Sequence, residues 1–418
     1  MSAPLPSPLG LKKSFGFGDR LGLATPGHLA AFTKYEFAPI FAQQSIREME
    51  RTRRTPGDVM GAARTALTRA GFTGDWGADA DHLKTPEDVD RTQAAGFCFF
   101  TIDPSAFVVN EADRMDAAAL QTSAAELVAD GVFEAADWTR AYLARSFDVG
   151  AGLSLSFDEE TLLRAAAKYA RAISHCALMA RHIAAVNGTK PYEIEVSVDE
   201  TDAPTSPLEH LFFGLELKRR GVRVVSLAPR FIGEFEKGID YKGDLAAFEV
   251  ALKLHVAVAK FCGPYKISIH SGSDKFSIYP AIGRICGDLL HVKTAGTSYL
   301  EALRVVLRAN PALFREIAAY SAARFDADRA SYHISATSEG VTALAGHPPS
   351  DIEQAYLSDP LGRQLLHVTF GSVLTVGTDA KGRLFKEGVL EVLERHADLH
   401  AEILDAHFTH HLDLLSRG

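Results

Sequence analysis

The eight residues Glu193–Glu200 read EIEVSVDE, a stretch from which the fold can be predicted. Apolar and polar side chains alternate along it, which places them on opposite faces of a β-strand. The isoleucine and the valines would pack against helices, whereas Glu195, Ser197 and Asp199 would point into the interior of a closed sheet. Ionisable groups inside a barrel are costly unless they meet at a site. The stretch therefore predicts a barrel strand that ends at a functional site.

Seven other segments have the length of a strand and end in polar residues. They are Phe15–Thr25, Asp75–His82, Phe97–Asp103, Val222–Arg230, Lys266–Ser271, Leu289–Thr294 and Tyr332–Ala336. Helical patterns lie between them, including Pro207–Arg220, Leu245–Cys262 and Ser298–Phe325. Strands that alternate with helices indicate βα units and a parallel sheet. Eight strands in succession predict an α/β fold, the (β/α)8 TIM barrel.

The spacing of the segments predicts one barrel domain over residues 1–418 with two helical additions. Residues 104–190 would form a helical insertion between the third and fourth strands, and residues 350–418 a helical C-terminal extension. The extension carries histidines at i,i+4 spacing, which we interpret as exposed or interface positions on an amphipathic helix rather than a metal site. These are His396, His400, His407 and His411. The extension is compatible with a homo-oligomer contact or with a lid.

The composition excludes several classes of protein. Of the 418 residues, 47% are hydrophobic and 23% charged, a balance that argues against a disordered chain. The net charge of -9 argues against binding nucleic acid, and no apolar run reaches the roughly 18 residues of a membrane span. The four cysteines form no CxxC pair and are interpreted as reduced, buried thiols. We expect a cytoplasmic protein without nucleic-acid or membrane partners.

The segment Gly77–Thr85, GADADHLKT, offers metal-binding and proton-transfer groups at a strand end. Asp79, Asp81 and His82 lie within four residues, and histidine supplies a neutral nitrogen ligand while a carboxylate acts as acceptor or base. The alternative interpretation is a loop in which one of the aspartates caps the next helix.

Histidines end two further predicted strands. His270 is followed by the polar loop SGSDK, and His333 lies in the predicted eighth strand. Together with His82 they would meet at the mouth of the barrel. Three histidines suit a divalent cation, and zinc, manganese, cobalt and nickel all stay open. A lone histidine at a strand end is more often a core residue, so the prediction depends on the three meeting.

Several charged side chains are candidates for binding substrate. Arg230, Lys275 and Lys293 follow or end strands and would bind an anionic group such as a carboxylate, although loop lysines are as often solvated. Ser271 and Asp274 belong to the polar loop after the sixth strand, whose amides would hold an anion.

Four segments together resemble the tagaturonate/fructuronate epimerase family, the bacterial hexuronate C4-epimerases. They are FGFGDRLGLATPGH, GADADHLKT, EVSVDET and SIHSGSDKF, and the resemblance runs from about Ser14 to beyond His333. It implies a metal-dependent isomerase with a TIM-barrel fold that interconverts D-tagaturonate and D-fructuronate, with relatives acting on tagatose and fructose. The Asp81–His82 pair and the loop after His270 are also similar to class II, metal-dependent sugar aldolases.

The likeness to aldolases suggests a mechanism. The inverted carbon, C4, is β to the ketone, so its hydrogen is not acidified; retro-aldol cleavage of C3–C4, a half-turn of the aldehyde and re-addition would invert it. Asp81 would take the C4 hydroxyl proton, and Asp199 or Glu195 would serve the opposite face. Hydride transfer through a nicotinamide is the alternative, but the glycines after Phe15 give only GxGxxxG, a weak dinucleotide signal.

Two other functions stay open at this point. One is a class II sugar aldolase that releases its fragments. The other is a sugar-binding or scaffold protein without activity, against which the many ionisable groups at strand ends argue. The substrate would be a sugar or a sugar acid, and the sequence does not choose between a uronate and a neutral ketohexose.

Overall fold

Eight parallel strands close into a barrel at the centre of the protein, seen in a computed structural model that describes residues 4–150, 152–294, 296–344 and 346–417. The barrel strands are β1 (Ser14–Gly18), β2 (Ala38–Ser45), β3 (Gly77–Leu83), β4 (Phe99–Ile102), β7 (Glu193–Val198), β8 (Ser226–Pro229), β9 (Lys266–Ile269) and β10 (Leu290–Thr294). Their order around the barrel is β1-β10-β9-β8-β7-β4-β3-β2. The predicted (β/α)8 TIM barrel is confirmed, and the carboxyl ends of all eight strands meet at one mouth.

Helices surround the barrel and extend it. They are α1 (Thr25–Phe32), α2 (Ile46–Thr52), α3 (Pro56–Arg69), α4 (Pro86–Ala94), α5 (Ala117–Ala129), α6 (Glu159–Asn187), α7 (Pro207–Arg219), α8 (Leu245–Cys262), α9 (Tyr279–Cys286), α10 (Thr297–Ala309), α11 (Pro311–Asp328), α12 (Ser338–Leu344), α13 (Ile352–Leu357), α14 (Pro360–Val368), α15 (Phe370–Thr375), α16 (Phe385–Arg395) and α17 (Ala397–Ser416). Local sequence explains their starts. Thr85 and Asp88, for example, form a capping box at α4, so neither upstream aspartate is needed as a cap.

One predicted strand is wrong and another was missed. Tyr332–Ala336 follows α11 and pairs with no described strand, because β10 already pairs with β1 and closes the ring. The missing strand is β2, which reads APIFAQQS. It is buried along almost its whole length and begins next to a proline, so it lacks the alternation that marked the other strands.

The predicted helix over Ser298–Phe325 is two helices, α10 and α11. Pro311 lacks a backbone N–H and cannot continue the hydrogen-bond pattern of α10. The side chain of Asn310 caps α11, because its Oδ1 accepts a hydrogen bond from the backbone N–H of Leu313 at 3.2 Å. The predicted insertion is also less uniform than expected. Besides α5 it contains an antiparallel hairpin, β5 (Ser146–Gly150) and β6 (Leu153–Ser156), and α6 then packs as the helix between β4 and β7.

The C-terminal helix α17 returns to the barrel and packs against α1 and α9. Helices α10 to α16 lie between the last strand and α17, and they share a second apolar core that includes Tyr299, Phe314 and Phe370. We propose that the chain is one domain, a barrel with this helical layer at its side. The four cysteines are buried and unpaired, as expected. Among the described residues, no helix combines the length and the apolar character that a membrane span requires.

Candidate active site

The polar face of β7 points into the barrel, as its alternation predicted. Glu195 is completely buried there and lies 2.8 Å from the ammonium of Lys293. The same ammonium lies 2.6 Å from Asp79 Oδ2 and 2.8 Å from Asp81 Oδ1. Three carboxylates from β3 and β7 therefore surround one ammonium from β10, and we call these four residues the Lys293 cluster.

The Lys293 cluster has more negative than positive charge. Burial disfavours the charged ammonium, but the three carboxylates outweigh burial and raise the pKa of Lys293 far above its usual value. Burial raises the pKa of Asp79 to about 7, and repulsion from Asp81 and Glu195 adds to this against the attraction of Lys293. Lys293 also donates to Thr101 at 2.6 Å, so its three N–H donors are used within the barrel. It holds the site together rather than offering a donor to a substrate carboxylate.

A backbone irregularity turns His82 into the mouth. Since Asp81 faces the interior, strict alternation would place His82 on the outer face of β3. The pairing register with β4 shifts between Ala80 and Leu83, and His82 has a left-handed φ of 53°. Its Nδ1 donates to Asp103 Oδ2 at 3.1 Å, which leaves Nε2 3.8 Å from Asp81 Oδ2.

His270 follows β9 directly and lies against His82, with ring centroids 5.2 Å apart. Its Nε2 donates to Glu195 Oε1 at 2.7 Å, while Nδ1 has two looser neighbours, Ser197 Oγ at 3.4 Å and Asp199 Oδ1 at 3.5 Å. Each of the two histidines thus has one nitrogen held by a carboxylate. This is the arrangement in which an acidic partner orients a metal-binding imidazole.

Asp81, His82 and His270 each offer a ligand atom, and these atoms lie within 4.8 Å of one another. Burial alone would lower the pKa of both histidines. The surrounding carboxylates outweigh it and raise the pKa to about 10 for His82, chiefly through Asp81, and to about 9 for His270, chiefly through Asp199. A pocket that favours positive charge this strongly suits a divalent cation, and one oxygen and two nitrogen ligands fit zinc, manganese, cobalt or nickel.

A cavity of about 610 Å³ opens at His270, the member of this group that lines it. Three of the predicted site residues that line it are Asp199, Arg230 and Ser271. Asp199 is partly exposed, and the protonated His270 beside it holds the pKa of its carboxyl well below the usual value against the effect of burial. Glu200, next along the chain, lines the cavity too and pairs with Arg47 at 3.0 Å.

His333 is not brought to the other two histidines. It lines the outer part of the cavity, its side chain is 76% exposed, and it lies 2.9 Å from Glu234. Because the strand predicted around it does not exist, nothing directs it into the barrel. The three histidines of the prediction therefore do not meet, and the ligand atoms that lie together at the mouth are those of Asp81, His82 and His270.

Two further predicted residues, Asp274 and Lys275, lie outside the mouth. The buried ammonium of Lys275 donates to the carbonyls of Glu236, Ile239 and Ser273, at 2.9, 2.5 and 3.0 Å. All three of its donors are thus used by backbone, and burial lowers its pKa to about 7.

Asp274 anchors the C-terminal helix to the barrel. Its Oδ2 accepts from Arg363 at 2.6 Å, and its backbone N–H donates to His411 Nε2 at 3.1 Å. His411 Nδ1 in turn donates to the carbonyl of His407 at 2.8 Å, so both nitrogens of His411 are used. His411 is completely buried where this helix meets the barrel, and Asp274, His407 and His411 each offer a ligand atom within 4.8 Å of the others.

Sequence reasoning missed Asp103 and Lys237. Asp103 directly follows β4, and its signal is a carboxylate at the end of the strand next to the one that carries His82. Lys237 lies in a long loop after β8, and nothing in the pattern of that loop distinguishes it from a solvated lysine.

Comparison with known proteins gives consistent matches over nearly the whole chain. The family model of UxaE, tagaturonate epimerase, matches residues 2–415. The tagaturonate/fructuronate epimerase of Thermotoga maritima is 45% identical over 406 residues, which cover 97% of this chain and 81% of that protein. A glycerol complex of the fructuronate-tagaturonate epimerase UxaE from Cohnella laeviribosi superposes with a TM-score of 0.92 at 37% identity, covering 98% of this chain and 83% of that one. The native crystal structure of the same Cohnella laeviribosi enzyme superposes with a TM-score of 0.91 at 38% identity, again covering 98% of this chain and 83% of that one.

Proposed function

This chain belongs to the tagaturonate epimerase family, and from that membership we propose that its barrel mouth interconverts D-tagaturonate and D-fructuronate by inverting C4, numbered from the ketose end. The observation that carries the proposal is the group Asp81, His82 and His270, three ligand atoms within 4.8 Å at the carboxyl ends of β3 and β9. Active sites of barrels of this type lie at this end of the strands.

His82, His270 and Asp81 would hold a divalent cation. When bound, the cation would stabilise negative charge that develops on the substrate's ketone oxygen. Asp103 and Glu195 would orient the two imidazoles, since each accepts a hydrogen bond from one of them. Lys293 would keep Asp81 and Glu195 ionised despite their burial.

Cleavage of the C3–C4 bond requires a base for the C4 hydroxyl. Glu195 is completely buried and bound by His270 and Lys293, whereas Asp199 lines the cavity and has no contact with Lys293. We therefore assign the hydroxyl proton to Asp199. The electrons of the C3–C4 bond would form an enediolate over C2 and C3 and leave an aldehyde at C4.

Re-formation of the bond on the other face of C4 completes the inversion. The aldehyde turns by half a rotation, C3 attacks it again, and the new C4 oxygen takes up a proton. Glu200 follows Asp199 directly and lines the same cavity, so successive residues at the end of β7 would serve the two faces. In this proposal the role of base that the sequence suggested for Asp81 passes to Asp199, because Asp81 would serve as a metal ligand.

A class II aldolase would use the same first step but release its fragments. Trapping the aldehyde during turnover separates the two functions: a C4-epimerase keeps the fragment in the cavity and releases only the two hexuronates. The family match favours the epimerase.

Removal of the metal is expected to stop turnover. Enzyme stripped by a chelator should convert D-tagaturonate at least about 100-fold more slowly, because the loss of a Lewis acid costs several kcal/mol at roughly 1.36 kcal/mol per tenfold. Manganese, zinc, cobalt or nickel should restore the rate. Turnover of tagaturonate and of fructose is followed side by side by chromatography. Equal rates in stripped and restored enzyme would contradict the metal assignment, and no conversion of either sugar would contradict the function.

A further inference from the structure

Among the described residues, four lysines and arginines line the mouth cavity: Arg47, Arg114, Arg230 and Lys237. They are not equivalent. Arg47 is paired with a carboxylate of the protein, and Arg114 lies exposed on a short helical turn. Arg230 donates through one guanidinium nitrogen to the carbonyl of Thr201. Lys237 contacts Ser271, the residue that follows His270, and so lies beside the histidines that would bind the metal.

Lys237 reaches the cavity beside His270. Its ammonium donates to the hydroxyl of Ser271 at 2.5 Å, and Ser271 follows His270 directly in the chain. No carboxylate of the described residues lies within ion-pair distance of this ammonium. Two of its three N–H donors are thus left for a ligand. A partly buried ammonium without an anionic partner is costly, and a bound carboxylate would offset that cost.

The acidic neighbour of Lys237 cannot neutralise it. The carboxylate of Glu236 accepts hydrogen bonds from the backbone N–H of Ser335 at 2.7 Å and from the Gln364 amide at 2.5 Å. It also lies 3.3 Å from Lys242. These contacts turn the Glu236 carboxylate toward the helical layer, away from the cavity, and leave the charge of Lys237 uncompensated.

The backbone on both sides of Lys237 is firmly held. Lys275 donates to the carbonyls of Glu236 and Ile239, and Arg363 donates to the carbonyl of Gly238 at 2.7 Å. Gly238 has a φ of 72°, a conformation that glycine adopts without strain, and it turns the chain immediately after Lys237. A side chain presented by so rigid a loop needs little ordering when it binds a ligand.

We propose that Lys237 binds the C6 carboxylate of the hexuronate substrate, and that Lys275 and Arg363 are positioning residues for the loop that carries it. The proposal rests on the proposed function and names the group that selects a sugar acid at this site. It also explains why Lys275 is completely buried with all its donors on backbone carbonyls.

The test compares Lys237→Met with Lys237→Arg, which keeps the charge, and with Lys253→Met, which removes an exposed lysine from α8. Lys237→Met should raise KM for D-tagaturonate about 10- to 100-fold and change kcat by less than about threefold, since a hydrogen bond to a charged group is lost. Lys237→Arg should recover most of the affinity, and Lys253→Met should behave as the wild type. Competitive inhibition by neutral D-tagatose should be the same in all four proteins.

An unchanged KM in Lys237→Met would overturn the proposal, as would an equal loss of affinity for tagaturonate and tagatose. A fall in kcat at constant KM would overturn it too, because it would place Lys237 in the chemical step. These outcomes leave the epimerase function standing. If the wild-type enzyme neither binds nor converts tagaturonate, the proposed function fails and the role of Lys237 fails with it.

Discussion

Replacement of His270 by alanine is expected to abolish metal binding and turnover together. The imidazole offers one of the three ligand atoms that would hold the cation, and its loss also leaves Glu195 without the hydrogen bond at 2.7 Å. Turnover of D-tagaturonate should fall roughly 100- to 1000-fold, because several kcal/mol of charge stabilisation disappear. The bound metal is measured by elemental analysis after dialysis, and the rate by product formation.

The matched control is His182→Ala. His182 also pairs with a carboxylate, Asp90 at 2.7 Å, but it lies on the outer surface of α6. Metal content and rate should stay at the wild-type level in this variant. A His270→Ala protein that folds normally and still retains a full complement of metal would remove His270 from the ligand set.

Replacement of Lys293 by methionine is expected to cause the largest loss of stability. It leaves the carboxylates of Asp79, Asp81 and Glu195 buried without their cation, and breaking a buried ion pair typically costs about 3–5 kcal/mol. The free energy of unfolding of metal-free protein is measured in urea. Lys253→Met, at the exposed surface of α8, should change it by less than about 0.5 kcal/mol.

The loss of unfolding free energy in Lys293→Met should increase with pH. Without the ammonium, the pKa of all three carboxyls rises relative to the wild-type protein, and burial holds the pKa of Asp79, already about 7 beside Lys293, above its unfolded value. Groups of this kind contribute stability at low pH and lose it as pH rises through the folded pKa. The difference in unfolding free energy between wild type and Lys293→Met should therefore be smaller at pH 5 than at pH 8. A difference in unfolding free energy that does not change with pH would show that the Lys293 cluster is not held together by charge.

The sequence was sufficient to predict the barrel because alternation is a local signal. Glu193–Val198 and Lys266–Ile269 show it clearly, and both are barrel strands with polar side chains inside. Ala38–Ser45 lacks the signal because it is apolar or small over its first half and buried on both faces. The extended segment at Tyr332 has the composition of a strand, yet the ring is already closed without it.

The sequence predicted only some residues of the candidate site, and the others were missed or misassigned for physical reasons. Asp81, His82 and His270 meet because their strands end at the same mouth. His82 does so through a left-handed backbone that alternation cannot foresee. Lys275 looked like a substrate cation, but the donors of a lysine are assigned only when its surroundings are known, and here three carbonyls surround it.

The same limit applies to Lys237 and Asp103. Both lie close in space to residues that the sequence singled out, Ser271 and His82, but far from them along the chain. Their roles follow from contacts across the mouth, which no periodic pattern records. The helical layer also makes contacts of this kind. Gln364 and Arg363 donate hydrogen bonds to the residues on either side of Lys237, which lie more than 100 residues earlier in the chain.

Turnover of D-tagaturonate labelled with deuterium at C4 tests the cleavage of the C3–C4 bond most directly. If C4 is inverted by cleavage and re-formation of the C3–C4 bond, the deuterium stays on C4 throughout. The fructuronate formed should therefore carry full deuterium at C4, and the rate should show no primary isotope effect. Loss of the label to solvent would indicate proton abstraction at C4, and retention with a primary isotope effect would indicate hydride transfer; either result would contradict cleavage and re-formation of the C3–C4 bond.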